Sequence, residues 1–115
     1  MLRGEIRLVE LDPVRGAEAN KRRPAVVVSN DSVNAVSARL GRGMITIVPL
    51  TSNVTRVHPF QVLLPASVTG LGRDSKAQAE QVRSLAVERV GPRLGQLAHG
   101  ELADLDDALR LHLDL

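Results

Sequence analysis

The sequence predicts a small α+β domain in which short strands form a barrel or a strongly bent sheet and one helix ends the chain. The apolar runs before residue 100 are short, rich in β-branched residues and bounded by Pro and Gly, as strands are. From residue 101 the apolar residues fall at helical spacing. The 115 residues contain no internal repeat, linker or low-complexity tract, so we expect a single domain over 1–115.

The first strand is predicted over Glu5–Leu11, where apolar and polar residues alternate until Val9 breaks the pattern. Such a break is typical of an edge strand or of a strand with a bulge. The polar residues 14–22 then predict a loop.

Further strands are predicted at Ala25–Ser29, Met44–Leu50 and Gln61–Leu64, the last of which lies between two prolines. Residues 30–43 are rich in Asn, Ser, Arg and Gly, which predicts an excursion with one helical turn over Asp31–Ala35.

In the second half, the glycines of Gly70–Ser75 predict a turn, followed by a half-polar strand over Lys76–Val82 and a short segment at Arg93–Leu97. Apolar residues then recur every three or four positions over Glu101–Leu113, with acidic residues between them. This spacing predicts an amphipathic helix.

The distribution of charge favours a polyanionic partner for the first half of the chain. The net charge is only +2, but residues 1–60 hold nine Lys and Arg against five Asp and Glu, whereas residues 61–115 hold six against eight. Phe60 is the only aromatic residue, which disfavours RNA readers that stack bases on exposed aromatic rings. Any nucleic-acid contact must therefore depend on Arg, Lys, Ser, Thr, Asn and Gln.

Several classes of protein are excluded by composition. The absence of cysteine rules out a thiol nucleophile and a Cys-based zinc site and fits a reducing cytoplasm. All apolar runs are shorter than ten residues, so we expect a cytoplasmic protein with no membrane-spanning segment. His58, His99 and His112 stand at no dyad or metal-ligand spacing, and no cofactor motif is present, so neither metal nor cofactor is expected.

Two polar segments at strand ends form the strongest candidate site. Lys21, Arg22 and Arg23 precede Pro24 at the start of one strand, and Thr51-Ser52-Asn53 follows the end of the next. Each segment alone is more typical of a solvated turn than of a functional site. In a small barrel, however, neighbouring strand ends bring their side chains within reach of one another.

The order of short motifs along the chain resembles that of the MazF/PemK toxins of bacterial toxin–antitoxin pairs. The matching motifs extend from Arg3 to the C-terminal helix: Arg3-Gly4-Glu5-Ile6, Asp12-Pro13, Gly16-Ala17-Glu18, Arg23-Pro24-Ala25-Val26-Val27-Val28-Ser29, Pro49-Leu50-Thr51-Ser52, Pro59-Phe60-Gln61-Val62 and Ala79-Glu80-Gln81-Val82-Arg83-Ser84. Each motif is weakly specific, but the ordered set is strong.

The resemblance implies a homodimeric, SH3-like β-barrel of the CcdB/PemK toxin type with a C-terminal helix. It also implies an endoribonuclease that cleaves single-stranded RNA without a metal. The ribose 2′-hydroxyl would attack the adjacent phosphorus, leaving a 2′,3′-cyclic phosphate and a 5′-hydroxyl. A cognate MazE-type antitoxin would neutralise the enzyme.

The resemblance also implies roles for individual residues. Arg23 would bind the phosphate and stabilise transition-state charge, and Thr51 would hydrogen-bond the phosphate or align the 2′-hydroxyl. The candidate RNA contacts are Glu18, Lys21, Arg22, Ser52, Asn53, Glu80, Gln81 and Ser84. An equally weighted alternative for Glu80 is a simple ion pair with Arg83. Gln78 stands where some relatives carry a further basic catalytic residue.

Two other functions remain open at this point. A protein of the same architecture, similar to the gyrase-poison toxins, would bind a topoisomerase without catalysis. A nucleic-acid-binding module would bind without cutting. Neither needs the pair of Arg23 and Thr51.

Overall fold

Seven strands and three helices make up the part of the chain that the computed structural model describes, residues 1–11 and 22–115. The strands are β1 (Glu5–Glu10), β2 (Arg22–Val27), β3 (Met44–Thr51), β4 (Gln61–Leu64), β5 (Ser75–Gln78), β6 (Arg83–Ala86) and β7 (Val90–Gln96). The helices are α1 (Asp31–Leu40), α2 (Ala66–Thr69) and α3 (His99–Leu113), with single 3-10 turns at Ala79–Gln81 and Val87–Arg89.

All strand pairs are antiparallel, in the order β4-β5-β3-β2-β1-β7, and β6 also pairs with β3. The predicted α+β class, with an antiparallel sheet and a C-terminal helix, is confirmed. The predicted closed barrel is not formed: over residues 1–11 and 22–115 no pairing joins the two ends of the sheet, β4 and β7.

The long strand β3 changes partners along its length. Met44–Ile47 pairs with β6, whereas Leu50 and Thr51 pair with β5. The continuous strand predicted over Lys76–Val82 is therefore wrong. The chain forms β5, leaves the sheet through a 3-10 turn, and returns as β6 on the same edge of β3.

Both faces of the central strands are buried, which explains why these strands are continuous apolar runs. Val26 and Val48 face a core that α3 covers with Leu105. Their neighbours Val27 and Ile47 face a second cluster on the other side of the sheet. The predicted terminal helix is confirmed and begins two residues earlier than expected, at His99.

β1 lies between β2 and β7, so the prediction of an edge strand is wrong. Its alternative, a bulged strand, is confirmed by two register shifts in the pairing with β7. β2 begins at Arg22, three residues before the start predicted at Ala25, and ends at Val27.

Helix α1 spans ten residues where only one turn, Asp31–Ala35, was predicted. The Asn30 side chain caps it by accepting a hydrogen bond from the Val33 N–H at 2.9 Å, and Gly41 ends it with φ of +65°. Asn and Gly are the residues that these two positions favour, because one offers a side-chain acceptor and the other tolerates positive φ.

This helix presents its polar side to the protein. Asn34 and Ser37 are buried, and the Asn34 amide donates to the Ser29 carbonyl at 2.8 Å. The apolar side chains of Val33, Val36 and Leu40 are exposed. Because the buried side of α1 is polar, the sequence lacks the apolar pattern that would predict a helix packed on the core.

A partly buried ion pair anchors β1 beside β7. The Glu5 carboxylate accepts hydrogen bonds from the Arg7 guanidinium at 3.0 Å and from the Leu2 N–H at 2.9 Å, and Arg7 also donates to the Gly91 carbonyl. Burial acts to raise the pKa of Glu5, but these hydrogen bonds, together with the positive charges of Arg7 and the N-terminus, lower the pKa below its ordinary 4.5.

We expect Glu5→Gln to lower the free energy of unfolding at pH 7 by about 1–3 kcal/mol, because it removes the charge that Arg7 pairs with. Since the folded-state pKa of Glu5 is lowered, its contribution is complete above the unfolded-state pKa and is lost as pH falls through the folded-state pKa. The free energies of unfolding of wild type and variant should therefore converge as the pH falls, which urea unfolding at pH 7 and at lower pH values measures. Glu10→Gln is the control, because Glu10 belongs to an exposed pair with Arg22. A deficit for Glu5→Gln that stays constant through the acid range contradicts the assignment.

Candidate active site

A cavity of about 470 Å³ lies where β2 begins, β3 ends and the turn at residues 70–75 approaches them. Its size falls in the range typical of small-molecule sites. It is lined by Arg23, Pro24, Leu50, Thr51, Ser52, Asn53, Leu71, Gly72, Arg73 and Ser75.

The register of β2 and β3 brings Arg23 and Thr51 together. The pairing of β2 with β3 runs from Val27–Ile47 to Ala25–Pro49, and the same register extended by two residues would set Arg23 opposite Thr51. Opposed residues of antiparallel strands place their side chains on the same face with Cβ atoms about 5 Å apart. Both residues line the cavity.

Thr51 and Asn53 also build the turn that ends β3. The Thr51 hydroxyl oxygen accepts a hydrogen bond from the Asn53 N–H at 3.2 Å, and the Asn53 side-chain oxygen accepts one from the Thr55 N–H at 3.3 Å. Only acceptor atoms are used in these bonds. The hydroxyl proton of Thr51 and the amide group of Asn53 therefore remain available as donors to a ligand.

The sequence motifs did not identify the cavity's opposite wall, which is formed by Leu71, Gly72, Arg73 and Ser75. This wall comes to the end of β3 because β5, which follows it, pairs Lys76 with Thr51. The feature of the sequence that could have identified this wall is Arg73, an arginine within the glycine-rich turn at residues 70–75.

The lining of the cavity is positively charged. It contains two arginines and no Asp or Glu, and within residues 1–11 and 22–115 neither guanidinium forms an ion pair. Guanidinium groups remain charged throughout the physiological pH range and match two oxygens of a phosphate or carboxylate. The cavity is therefore suited to an anion.

Several predicted contacts lie away from this cavity. Arg22 points to the other face of β2 and pairs with Glu10 at 3.3 Å. Ser84 pairs with Thr46, five residues before Thr51, which places it roughly 16 Å along β3. Glu18 and Lys21 lie outside the described residues. Gln81 belongs to the 3-10 turn before β6.

Glu80 is held by the start of β4. One of its carboxylate oxygens accepts a hydrogen bond from the Gln61 side-chain amide at 2.6 Å, and the other is buried without a partner in the described residues. The alternative pairing with Arg83 is not formed, because Arg83 donates to the Leu11 carbonyl at 3.2 Å. Gln78 pairs with Gln61, at the end of β5 opposite the cavity.

Two of the three histidines lie near Phe60, the single aromatic residue of the chain. His58 stacks on Phe60 with ring centroids 5.1 Å apart, and His112 lies 6.4 Å away on a tilted plane. In the part of the chain described, no group of three His, Asp or Glu side chains is arranged to hold a metal ion. None of the described helices has the length and apolar character needed to cross a membrane.

Comparison with known proteins places the chain in a family. Residues 2–113 match the family of PemK-like, MazF-like toxins of type II toxin–antitoxin systems, and the chain belongs to it. The resemblance noted from the sequence motifs is thus confirmed.

Named relatives and solved structures agree with this membership. The chain is 64% identical to Endoribonuclease MazF9 of Mycobacterium tuberculosis over 115 residues, which is 100% of this chain and 98% of the relative. The fold is similar to MazF in a MazE–MazF crystal structure from Deinococcus radiodurans, with a TM-score of 0.80 and 28% identity over 100% of this chain and 96% of that one. The MazF crystal structure from the same organism gives a TM-score of 0.75 at 28% identity, covering 100% and 97%.

Proposed function

We propose that this chain is an endoribonuclease toxin that cleaves single-stranded RNA by transesterification and needs no metal ion. The observation that carries the proposal is that Arg23 and Thr51 line one cavity, whose charged lining residues among those the structure describes are both arginines. The MazF relative named as an endoribonuclease, at 64% identity over the whole chain, supports it.

The substrate supplies its own nucleophile in this reaction. The 2′-oxygen of the ribose bonds to the adjacent phosphorus and loses its proton, while the 5′-oxygen of the next nucleotide departs and gains one. The products are a 2′,3′-cyclic phosphate and a 5′-hydroxyl. The protein needs only to hold the phosphate in line and to stabilise the charge that develops on its oxygens.

Arg23 and Thr51 fit these two tasks. The Arg23 guanidinium can donate to two phosphate oxygens at once and stays charged throughout the reaction. The Thr51 hydroxyl, whose oxygen already accepts the Asn53 N–H, can donate its proton to a phosphate oxygen. A topoisomerase-binding toxin or a non-cleaving module has no need for this pair, so the pair favours cleavage over both alternatives.

We expect the purified chain to cleave single-stranded RNA in EDTA and to leave DNA and base-paired sites intact, because attack needs a free 2′-hydroxyl and in-line geometry. Adding the cognate antitoxin should stop cleavage. Gel analysis with end-group identification should find a cyclic phosphate and a 5′-hydroxyl. A 5′-phosphate product would instead point to attack by water and overturn the scheme, and binding without cleavage would favour the non-cleaving module.

The proposed partner that neutralises the enzyme is an antitoxin of the MazE type. A MazE–MazF complex from Deinococcus radiodurans has a toxin chain similar to this one, which supports the proposal. An acidic, extended antitoxin segment is the kind of ligand that this cavity would accept in competition with RNA, because its described lining holds two arginines and no carboxylate.

We also propose that the chain is a homodimer. Apolar side chains are exposed on α1 at Val33, Val36 and Leu40, and at the end of α3 at Leu111 and Leu113. The sequence predicted a contact near α3, and the outer face of α1 is a second candidate. Analytical ultracentrifugation should show a concentration-dependent dimer. A monomer at every concentration would contradict this.

A further inference from the structure

Arg73 is the second arginine of the cavity, and the mechanism above does not use it. β3 lies between β2 and β5 in the sheet. Arg23 is carried by β2, on one side of Thr51, and Arg73 by the turn that leads into β5, on the other side. Since neighbouring strands are about 4.8 Å apart, β2 and β5 lie about 10 Å apart on the two sides of β3, and the two arginines reach the cavity from these two sides.

The turn that carries Arg73 is held in place before any ligand binds. Gly70 ends α2 with φ of +78°, a conformation that favours glycine. The Thr69 hydroxyl accepts a hydrogen bond from the Leu71 N–H at 3.1 Å, and Asp74 accepts one from the Ala66 N–H at 2.8 Å. The carboxylate next to Arg73 in the sequence is therefore engaged with the start of α2.

We propose that Arg73 binds a second RNA phosphate, next in the strand to the one held by Arg23, so that the cavity takes two consecutive phosphodiesters. This proposal deepens the function given above and rests on it. Arg73 is then a positioning residue: it fixes the strand so that the scissile phosphate meets Arg23 and Thr51.

The size and charge of the cavity support two phosphates over one. The cavity volume of about 470 Å³ is large enough for a molecule of nucleotide size. One phosphate group would fill only a small part of it. A single phosphate carries one negative charge in RNA, whereas the lining residues that the structure describes carry two positive charges and no negative ones. A second phosphodiester balances the second guanidinium.

The test is the salt dependence of binding to mixed-sequence single-stranded DNA, which carries the phosphates but lacks the 2′-hydroxyl and cannot be cut by the proposed reaction. Each phosphate contact adds about 0.7 to the slope of log K against log salt for a single strand. We expect Arg73→Gln to reduce this slope by about 0.7 and to weaken binding about tenfold, and Arg73→Lys to restore most of the slope. Arg42→Gln is the matched control, because Arg42 is exposed before the start of β3, at the end opposite Thr51, and should leave both quantities unchanged.

RNA cleavage provides the second readout. For Arg73→Gln the loss of kcat/KM should lie mainly in KM, whereas a residue of the transition state would lose kcat. An unchanged salt slope together with active cleavage would overturn the role of Arg73 and leave the proposed function intact. If the wild-type protein cuts no RNA but Arg73→Gln still reduces the salt slope, the proposed function is overturned and the second phosphate site stands. A loss of kcat with KM unchanged would also overturn the assignment as a positioning residue.

Discussion

Replacing Arg23 by lysine should lower kcat/KM for RNA cleavage about 100-fold or more, the loss expected when one donor to a developing oxyanion is removed. Lysine keeps the positive charge but presents a compact ammonium, which cannot donate to two phosphate oxygens in the fixed geometry of guanidinium. Steady-state cleavage of a single-stranded RNA measures the effect.

Two controls separate this result from a folding defect. Arg23 is exposed, so urea unfolding of Arg23→Lys should match that of wild type. Arg42→Lys makes the same chemical change at an exposed position outside the cavity and should cleave normally. Cleavage by folded Arg23→Lys at the wild-type rate would remove Arg23 from the mechanism.

Replacing Gly95 by alanine should lower the free energy of unfolding by about 1–3 kcal/mol, as overpacking typically does. A Cβ atom at this position in β7 would lie 2.3 Å from the Thr69 carbonyl oxygen, a backbone atom that cannot turn away as a side chain does. β7 or α2 must therefore move. Urea or thermal unfolding measures the change.

The matched control for this variant is Gly100→Ala. A Cβ atom on Gly100 meets nothing within 4 Å, and the residue lies in α3, where alanine is the better helix former. Gly100→Ala should therefore be neutral or stabilising by up to about 1 kcal/mol. Equal free energies of unfolding for Gly95→Ala and wild type would contradict the prediction, because β7 or α2 would then have moved without loss of stability.

Local patterns were sufficient to predict several elements and half of the candidate site. β4 falls where two prolines bound a short apolar run, and α3 where the apolar spacing becomes helical. Arg23 and Thr51 were predicted as neighbours because each stands at the end of a strand, and both line the same cavity.

The missed features depend on contacts that no local pattern records. α1 buries Asn34 and Ser37 in place of apolar residues, so its inner face does not look like a core face. The division of the predicted strand at Lys76–Val82 follows from the change of partner along β3. Arg73 joins the cavity only because β5 pairs beside Thr51, a register that the turn sequence does not encode.

The pairing of β1 with β7 has a consequence for the synthesis of the chain. β1 spans Glu5–Glu10, yet one of its two neighbouring strands, β7, spans Val90–Gln96 and is translated much later. The helix that covers the core under Val26 and Val48 comes later still, at His99–Leu113. Arg23, Thr51 and Arg73 are thus all translated well before the scaffold that orients them is complete. In a growing chain the proposed catalytic and phosphate-binding residues are therefore synthesised before β7 and α3 can complete the structure around them, and under the proposed function cleavage would require that α3 has been synthesised.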